Sequence, residues 1–428
     1  MNEILSTLAS IISAENSILP WEKLAPSQQQ PIQLAINPEN TPSCIVYPHT
    51  QAELSAVMAT AYQNKWTVLP CGSGSKLSWG GISKNIDIVV STTRINNLIE
   101  HAVGDLTITV EAGMNFSQIQ AILAQNQQTL GLDPAFPEYA TMGGIVSTAD
   151  TGSLRQRYNS IRDQLLGITF VRTDGQIAKA GGRVVKNVAG YDLMKLLTGA
   201  FGTLGIISQV TFRVYPLPTA STTVLFTGEA DAISQAATII RSSELTPIKA
   251  DLLSNQLVSS LGLEAKHGLI IQFQSTQESV NEQLNRSLDI GKKLDLKFSV
   301  YENEHELNLW QQLPEKIHDG DHNSLITCKI GVLPTAAMEV IDQVKLGLIH
   351  ISSGLGMVQL ENKNQILALR QLCESNSGFL TVLSAPMEVK KGLDIWGYSS
   401  NALSIMQGIK KQFDSNLILS PGRFINGI

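Results

Sequence analysis

The chain has 428 residues, enough for two or three domains at roughly 150 residues each and for a substantial core. Hydrophobic residues make up 43% and charged residues 16%, so the chain is globular, with few charges on its surface. Lys plus Arg is 31 against 37 for Asp plus Glu, a net charge of −6 that argues against a general nucleic-acid binder.

Cys44, Cys71, Cys328 and Cys373 stand far apart, without the spacing of a zinc finger or an iron–sulfur ligand set, and read as reduced thiols. No metal site is expected. Glu3 stands where a signal peptide would carry a basic residue, while Ile4, Leu5, Leu8, Ile11 and Ile12 share one helical face, so residues 1–17 read as an amphipathic docking helix. No apolar run reaches about 18 residues, so no membrane span is expected, and a cytoplasmic chain attached to a membrane only through partners is the reading.

Along the chain, Pro20, Pro26, Pro31, Pro38 and Pro42 among glutamines predict an extended connector, with the folded domain starting near Ser43. Strands are expected at 44–47 and 67–70, around a helix over 52–64. Next come strands at 86–90 and 107–113, a helix over 116–125, and a strand at 165–172 leading into 176–180 through the Asp174-Gly175 hairpin turn. After Pro216 and Pro218 the glycines thin out. Strand 223–226, helix 230–242, strands 249–253 and 269–274, helix 280–294 and strand 297–301 form a βαββαβ order, the ferredoxin-like unit. A looser second round is expected from strand 327–333, helix 336–348, strand 357–361, helix 365–374 and strand 379–385. The sum is an α+β chain: an N-terminal helix and connector (1–42), a glycine-rich domain (43–218), an antiparallel-sheet cap with helices on one face (219–414), and a C-terminal segment returning to the first domain (415–428).

Three stretches could carry chemistry. Pro70-Cys71-Gly72-Ser73-Gly74-Ser75-Lys76 follows a strand, and its small residues allow successive N–H groups to point into one anion site. It matches neither the GxGxxG fingerprint, since Leu77 stands where the third glycine belongs, nor a Walker loop. Ala140-Thr141-Met142-Gly143-Gly144-Ile145-Val146-Ser147-Thr148 would let a flat ring or diphosphate come close to the backbone. Lys186-Asn187-Val188-Ala189-Gly190-Tyr191-Asp192 leads into a buried strand after Gly205. Each also reads as an ordinary glycine turn when taken alone.

Taken in order, the P-C-G-S-G-S loop, Val110–Gly113, Asp133-Pro134 with Ala-Thr-Met-Gly-Gly, Arg162-Asp163 and Gly202-Thr203-Leu204-Gly205-Ile206-Ile207 resemble the FAD-binding domain of the vanillyl-alcohol oxidase / p-cresol methylhydroxylase (PCMH-type) superfamily over residues 43–218. RVVKNVAGYDLMKLLTGAFGTLG and the terminal Ser420-Pro421-Gly422-Arg423 are most similar to the FAD-binding subunits of bacterial glycolate oxidases. The resemblance implies that Gly72, Ser73, Gly74 and Ser75 hold the pyrophosphate, and that Thr141, Met142, Gly143 and Gly144 run along the diphosphate and flavin edge. Ser147 and Gly152 would close the site, and Ile206 and Ile207 would lie near the adenine or ribose. Some members attach flavin through a histidine of the first loop; here none lies between His49 and His101, so non-covalent FAD is expected.

Relatives that oxidise 2-hydroxy acids carry a histidine cluster in the cap, because the chemistry needs a base beside the hydroxyl and a cation beside the carboxylate. None of the seven histidines here forms His-x-His. His318 and His322 in His318-Asp319-Gly320-Asp321-His322 are weak candidates in what reads as a polar turn, and Lys329 on an apolar strand could meet a substrate carboxylate. The resemblance therefore implies a flavoprotein subunit of a glycolate or other 2-hydroxy-acid dehydrogenase complex, partnered by a catalytic sister flavoprotein and an iron–sulfur subunit. A self-sufficient FAD-dependent oxidoreductase of a small hydroxy acid, and a scaffold without flavin, are the alternatives.

Overall fold

The computed structural model describes residues 3–12, 14–182, 191–318, 325–398 and 401–428. His322 and the Lys186-to-Gly190 part of the third glycine stretch lie outside the described residues.

A small first sheet runs in the order Ile18–Pro20, Cys44–Val46, Ile88–Ser91, Val68–Cys71, with the first pair antiparallel and the rest parallel. The parallel strands are apolar on both faces, as strands covered on both sides must be. On one face lies the helix Gln51–Asn64, capped by Thr50, whose hydroxyl accepts from Glu53 N at 3.1 Å. Its Leu54, Val57, Met58 and Ala61 pack with Leu8 and Ile12, so the N-terminal helix docks on its own chain.

The other face corrects the expected connector. Residues 20–42 contain the helix Pro26–Gln33, and Ile18–Pro20 is already a strand of the first sheet. Pro26 sits at the first helical position, where its missing N–H costs nothing, and the Gln28 side chain accepts from Ala25 N at 3.1 Å. Trp21, Leu24, Ile32, Ala35 and Ile36 then bury themselves against Ile45, Leu69 and Val89. Proline content argued for an extended strap; burial of this apolar set decided otherwise.

A second, five-stranded antiparallel sheet has the order Leu98–Ala102, Thr107–Glu111, Ile206–Arg213, Leu165–Val171, Ile177–Gly181. The Asp174-Gly175 turn joins the last two as expected, with Gly175 at φ +83°. The inner face packs on the helices Phe116–Ala124 and Met142–Thr148, which fixes the second glycine cluster against the sheet.

The cap is one eight-stranded antiparallel sheet. Its first half has the order Lys297–Tyr301, Ala220–Gly228, His267–Ser275, Lys249–Leu253, which is the 4-1-3-2 arrangement of a ferredoxin-like unit. The second half is as regular: Leu346–His350, Leu355–Leu360, Ile326–Gly331, Phe379–Ser384 read from the far edge as 4-1-3-2 again. The two units join edge to edge through Asp251↔His350 and Leu253↔Leu348. The expected helix over 336–348 is instead the short helix Ala337–Asp342 followed by the strand Leu346–His350. A short apolar run suits either state by periodicity, and pairing with 251–253 settles it.

Helices cover both faces of the cap sheet, not one. The helices Ala230–Ser242, Gln277–Lys293, Ala337–Asp342 and Lys363–Ser375 cover the larger cluster. On the other face Leu309, Leu313 and Ile317 of the helix Asn303–His318, with Leu257 and Val258 of Asn255–Ser260, pack on Leu225, Leu253 and Ile270. Glu306 anchors that helix: only 3% exposed, it accepts from Ser221 Oγ at 2.9 Å, Thr223 Oγ1 at 2.7 Å and Gln272 Nε2 at 2.9 Å.

The end of the chain comes back to the first sheet, where Leu419 bridges Val68 and Ser420 N donates to Val68 O at 2.9 Å. Lys410 of the helix Leu403–Phe413 pairs with Asp414 at 2.6 Å and donates to Thr203 O at 2.9 Å, tying this segment to the Gly202–Ile207 motif.

Candidate functional site

The strand Val68–Cys71, the helix Met142–Thr148 and the start of the strand Ile206–Arg213 meet around one cleft with about 660 Å³ of open space. Ten of the twelve residues expected to hold a cofactor border it: Gly72, Ser73, Gly74 and Ser75 from the first loop, Thr141, Gly143, Gly144 and Ser147 from the second, and Ile206 and Ile207 from the strand. Met142 is buried in the core with its N–H on Met114 O at 3.0 Å. Gly152 stands off the cleft, its N–H held by Asp133 Oδ1 at 3.1 Å.

The first loop has the form of an anion cradle. Gly74 is at φ +85°, backed by Pro31 of the helix Pro26–Gln33, 3.5 Å from where a Cβ would stand. Among the described residues, the N–H groups of Ser73, Gly74 and Ser75 have no protein acceptor, which leaves them for an anion. The glycines differ in what they face. A Cβ on Gly72 would stand 2.0 Å from Thr141 Oγ1 and one on Gly143 2.9 Å from the Ala112 Cβ, so these two let loop and helix close on each other. A Cβ on Gly144 would meet only Thr141 Oγ1, at 3.2 Å, and otherwise project into free space. A backbone bared to the cleft at Gly144 beside three unpaired N–H groups suits a diphosphate and a flat ring; these residues fit FAD.

Cys71 borders the cleft, and burial pushes its thiol up to about 12, against the opposing pull of the Ser91 hydrogen bond and the Arg423 charge. At neutral pH it is a thiol, not the thiolate that would bond to a flavin. No histidine borders the cleft among the described residues.

Phe201, which sequence reasoning missed, and Lys76 and Arg423, to which it gave no role, also border the cleft. Lys76 Nζ pairs with Asp150 Oδ2 at 2.7 Å, both side chains nearly inaccessible, and Asp150 Oδ2 also accepts from Ala135 N at 3.1 Å. This pair ties the first loop to the stretch following the second. Arg423 was visible only as part of the terminal Ser-Pro-Gly-Arg; its place at the cleft comes from the return of the chain end.

Two weak catalytic candidates converge on this margin. His318 stacks on Trp79 with ring centroids 5.9 Å apart and lies 5.1 Å from Phe136, while the Lys76 ammonium stands 5.8 Å from the Trp79 ring. Lys329 feels Asp150 and Arg155, and its amine is held below the usual lysine range chiefly by burial, with Asp150 pulling the other way. No group of three or more His, Cys, Asp and Glu side chains among the described residues is arranged to hold a metal, and no helix among them is long and apolar enough to cross a membrane.

Residues 42–181 match the family model described as an FAD binding domain. Over 271 residues the chain is 27% identical to glycolate oxidase subunit GlcD of Bacillus subtilis (strain 168), covering 60% of this chain and 57% of that subunit's length. It is 24% identical to the mitochondrial D-lactate dehydrogenase [cytochrome] of Arabidopsis thaliana, covering 90% of this chain and 74% of that protein. Among solved structures, p-cresol methylhydroxylase with substrate bound superposes with a TM-score of 0.75 at 15% identity, covering 99% of this chain and 96% of that one. Alkyldihydroxyacetonephosphate synthase gives 0.73 at 16%, covering 98% and 86%. At these identities the superpositions establish the shared fold.

Proposed function

We propose that this chain, whose residues 42–181 match the family model described as an FAD binding domain, is the flavoprotein subunit of a glycolate-type 2-hydroxy-acid dehydrogenase complex, holding FAD without a covalent bond for electron transfer or assembly. When bound, FAD supplies a two-electron acceptor. The chain's own residues do the holding: Ser73, Gly74 and Ser75 offer N–H groups to the diphosphate, Thr141, Gly144 and Ser147 border the ring, and Ile206 and Ile207 form an apolar wall toward the adenine or ribose. Gly143 keeps the helix close to Ala112 so that Gly144 faces the cleft, and Gly152, bonded to Asp133, fixes the turn that carries Asp150.

The observation that carries the subunit reading is that none of the six described histidines borders the cleft; His305 is exposed on the helix Asn303–His318, and the other five are held elsewhere. His49, His101, His267 and His350 each bond a protein partner, respectively Ser17, Gln128, Asp342 and Asp251, and His318 is stacked between aromatic rings. None of these borders the cleft as the base that hydroxyl oxidation requires. A catalytic sister flavoprotein and an iron–sulfur subunit would supply that base and the onward electron path. The four described thiols are all unpaired, which suits a reducing compartment and supports a cytoplasmic place, with any membrane contact made through partners. The second reading, a self-sufficient oxidoreductase of a small hydroxy acid, would use Lys329, whose sheltered amine feels the Asp150 charge, to grip the substrate carboxylate.

The test is anaerobic addition of glycolate and D-lactate, separately, to the FAD-loaded chain. A flavin band that persists with the chain alone and bleaches once the sister subunit is present supports the subunit reading. Prompt bleaching of the chain alone overturns it in favour of the self-sufficient enzyme. Correspondingly, His318→Ala is expected to leave activity of the reconstituted complex within about threefold, less than ~0.7 kcal/mol of barrier. A fall in kcat of about a hundredfold with flavin content unchanged would make His318 part of an active site.

A further inference from the structure

Beyond the loops that line the cleft, two buried cations grip the stretch immediately following the first loop. Lys390, on the cap helix Met387–Lys391, is 8% exposed and donates to Gly80 O at 3.0 Å and to Ser78 O. Arg423, 4% exposed, donates to Leu77 O at 2.8 Å and Gly81 O at 3.3 Å. Four carbonyl oxygens within five residues are thus turned toward two positive groups, and neither group has a carboxylate among its hydrogen-bond partners in the described residues. Buried cations are normally paired with an anion.

The charges around Lys390 offer no substitute. Arg423 faces it from the C-terminal segment; Lys84, Lys391 and Asp394 share its outer groove, contributing two more amines and one carboxylate. Lys76, across the loop, is already matched by Asp150. Burial, reinforced by the Arg423 charge, pushes the Lys390 amine down to about 7. Of the two, Arg423 borders the cleft and Lys390 lines the outer groove on the far side of the 77–81 stretch, so the clamp adjoins the space an anionic cofactor would fill through Arg423.

We propose that the cofactor site is proton-linked: an FAD diphosphate in the cleft completes the charge of the Arg423 and Lys390 clamp, and binding draws a proton onto Lys390, fastening the cap helix to the flavin loop. The proposal rests on the FAD reading above and adds Lys390 to the site as a positioning residue. Its sign follows from linkage. In the flavin-free chain Lys390 loses its proton above about pH 7; with FAD bound it keeps the proton to higher pH, so the complex holds more protons than the free chain. FAD affinity therefore falls as pH rises above 7, by up to about tenfold per unit within that window.

The experiment is calorimetric titration of FAD into the flavin-stripped full chain at pH 8, in phosphate and in Tris, whose different ionisation heats report the protons exchanged. The expected result is uptake of about half a proton or more per FAD, and almost none in Lys390→Arg, which keeps the charge and the donors but does not titrate. Smaller uptake in the unaltered chain, or equal uptake in the variant, overturns the proposal. Should the variant misfold, the pH profile of the unaltered chain decides: an FAD dissociation constant that rises severalfold or more from pH 7.5 to 8.5 supports the linkage, and a flatter profile overturns it. A chain that binds no FAD at any pH overturns the FAD reading itself, whereas binding without proton uptake removes this inference alone.

Discussion

Gly144→Val is expected to abolish FAD retention while leaving the fold intact. The position is helical, and its Cβ direction is open apart from Thr141 Oγ1 at 3.2 Å. Valine is a better helix residue than glycine, so the backbone loses nothing, but its two methyl groups would occupy the space offered to the cofactor. Affinity should fall by about a hundredfold or more, since several kcal/mol of close contact is replaced by overlap. Gly74→Val should act in the same direction with an added cost to the loop, because a β-branched residue is strained at φ +85°. Flavin content per chain, measured alongside far-ultraviolet circular dichroism and the urea midpoint, is the check. Normal flavin in a folded Gly144→Val chain would place the cofactor elsewhere.

Lys76→Met is expected to destabilise the chain by about 3 kcal/mol, because it leaves the buried Asp150 carboxylate without its ion-pair partner and with only the weaker pull of Lys329. Asp150 would retain the Ala135 N–H, at 3.1 Å, but lose its ion partner at 2.7 Å. Removing both charges in Lys76→Met/Asp150→Asn should recover much of that loss, since the penalty comes from the orphaned carboxylate more than from the missing attraction. The first unfolding transition in urea reads the difference. A loss below about 1 kcal/mol in the single variant would mean that water reaches the pair and that loop and turn are not tied together there.

What could be read from the residues in order, and what could not, divides along sequence distance. The Asp174-Gly175 hairpin and the first ferredoxin-like unit are local patterns, and each stands in the structure where its spacing placed it; the Gly72-to-Ser75 loop and the Gly143-Gly144 pair border one cleft, the pair within a helix that its spacing did not announce. The helix Pro26–Gln33 was hidden because proline counts against helix: Pro26 stands at the tolerated first position, but Pro31 lies inside the helix, where only burial of the surrounding apolar residues keeps it. The strand Leu346–His350 was hidden in an apolar run that carries no period of its own, and only pairing with residues 251–253 and 355–360 defines it. Phe201, Arg423 and Lys390 reach the first loop from positions more than a hundred residues away in the chain. Contacts at that separation are set by how the sheets and the chain end pack, which no local spacing records.

The central claim, that this chain holds FAD in the Gly72 and Gly144 cleft without a covalent bond, is tested most directly by acid precipitation of the purified chain after incubation with FAD and removal of the excess. The account predicts a yellow protein carrying FAD in near one-to-one ratio, with all of the flavin released into the supernatant, because no histidine among the described residues borders the cleft and Cys71 remains protonated. Flavin that stays in the pellet would contradict the mode of attachment, and a colourless protein that takes up no FAD would contradict the account as a whole.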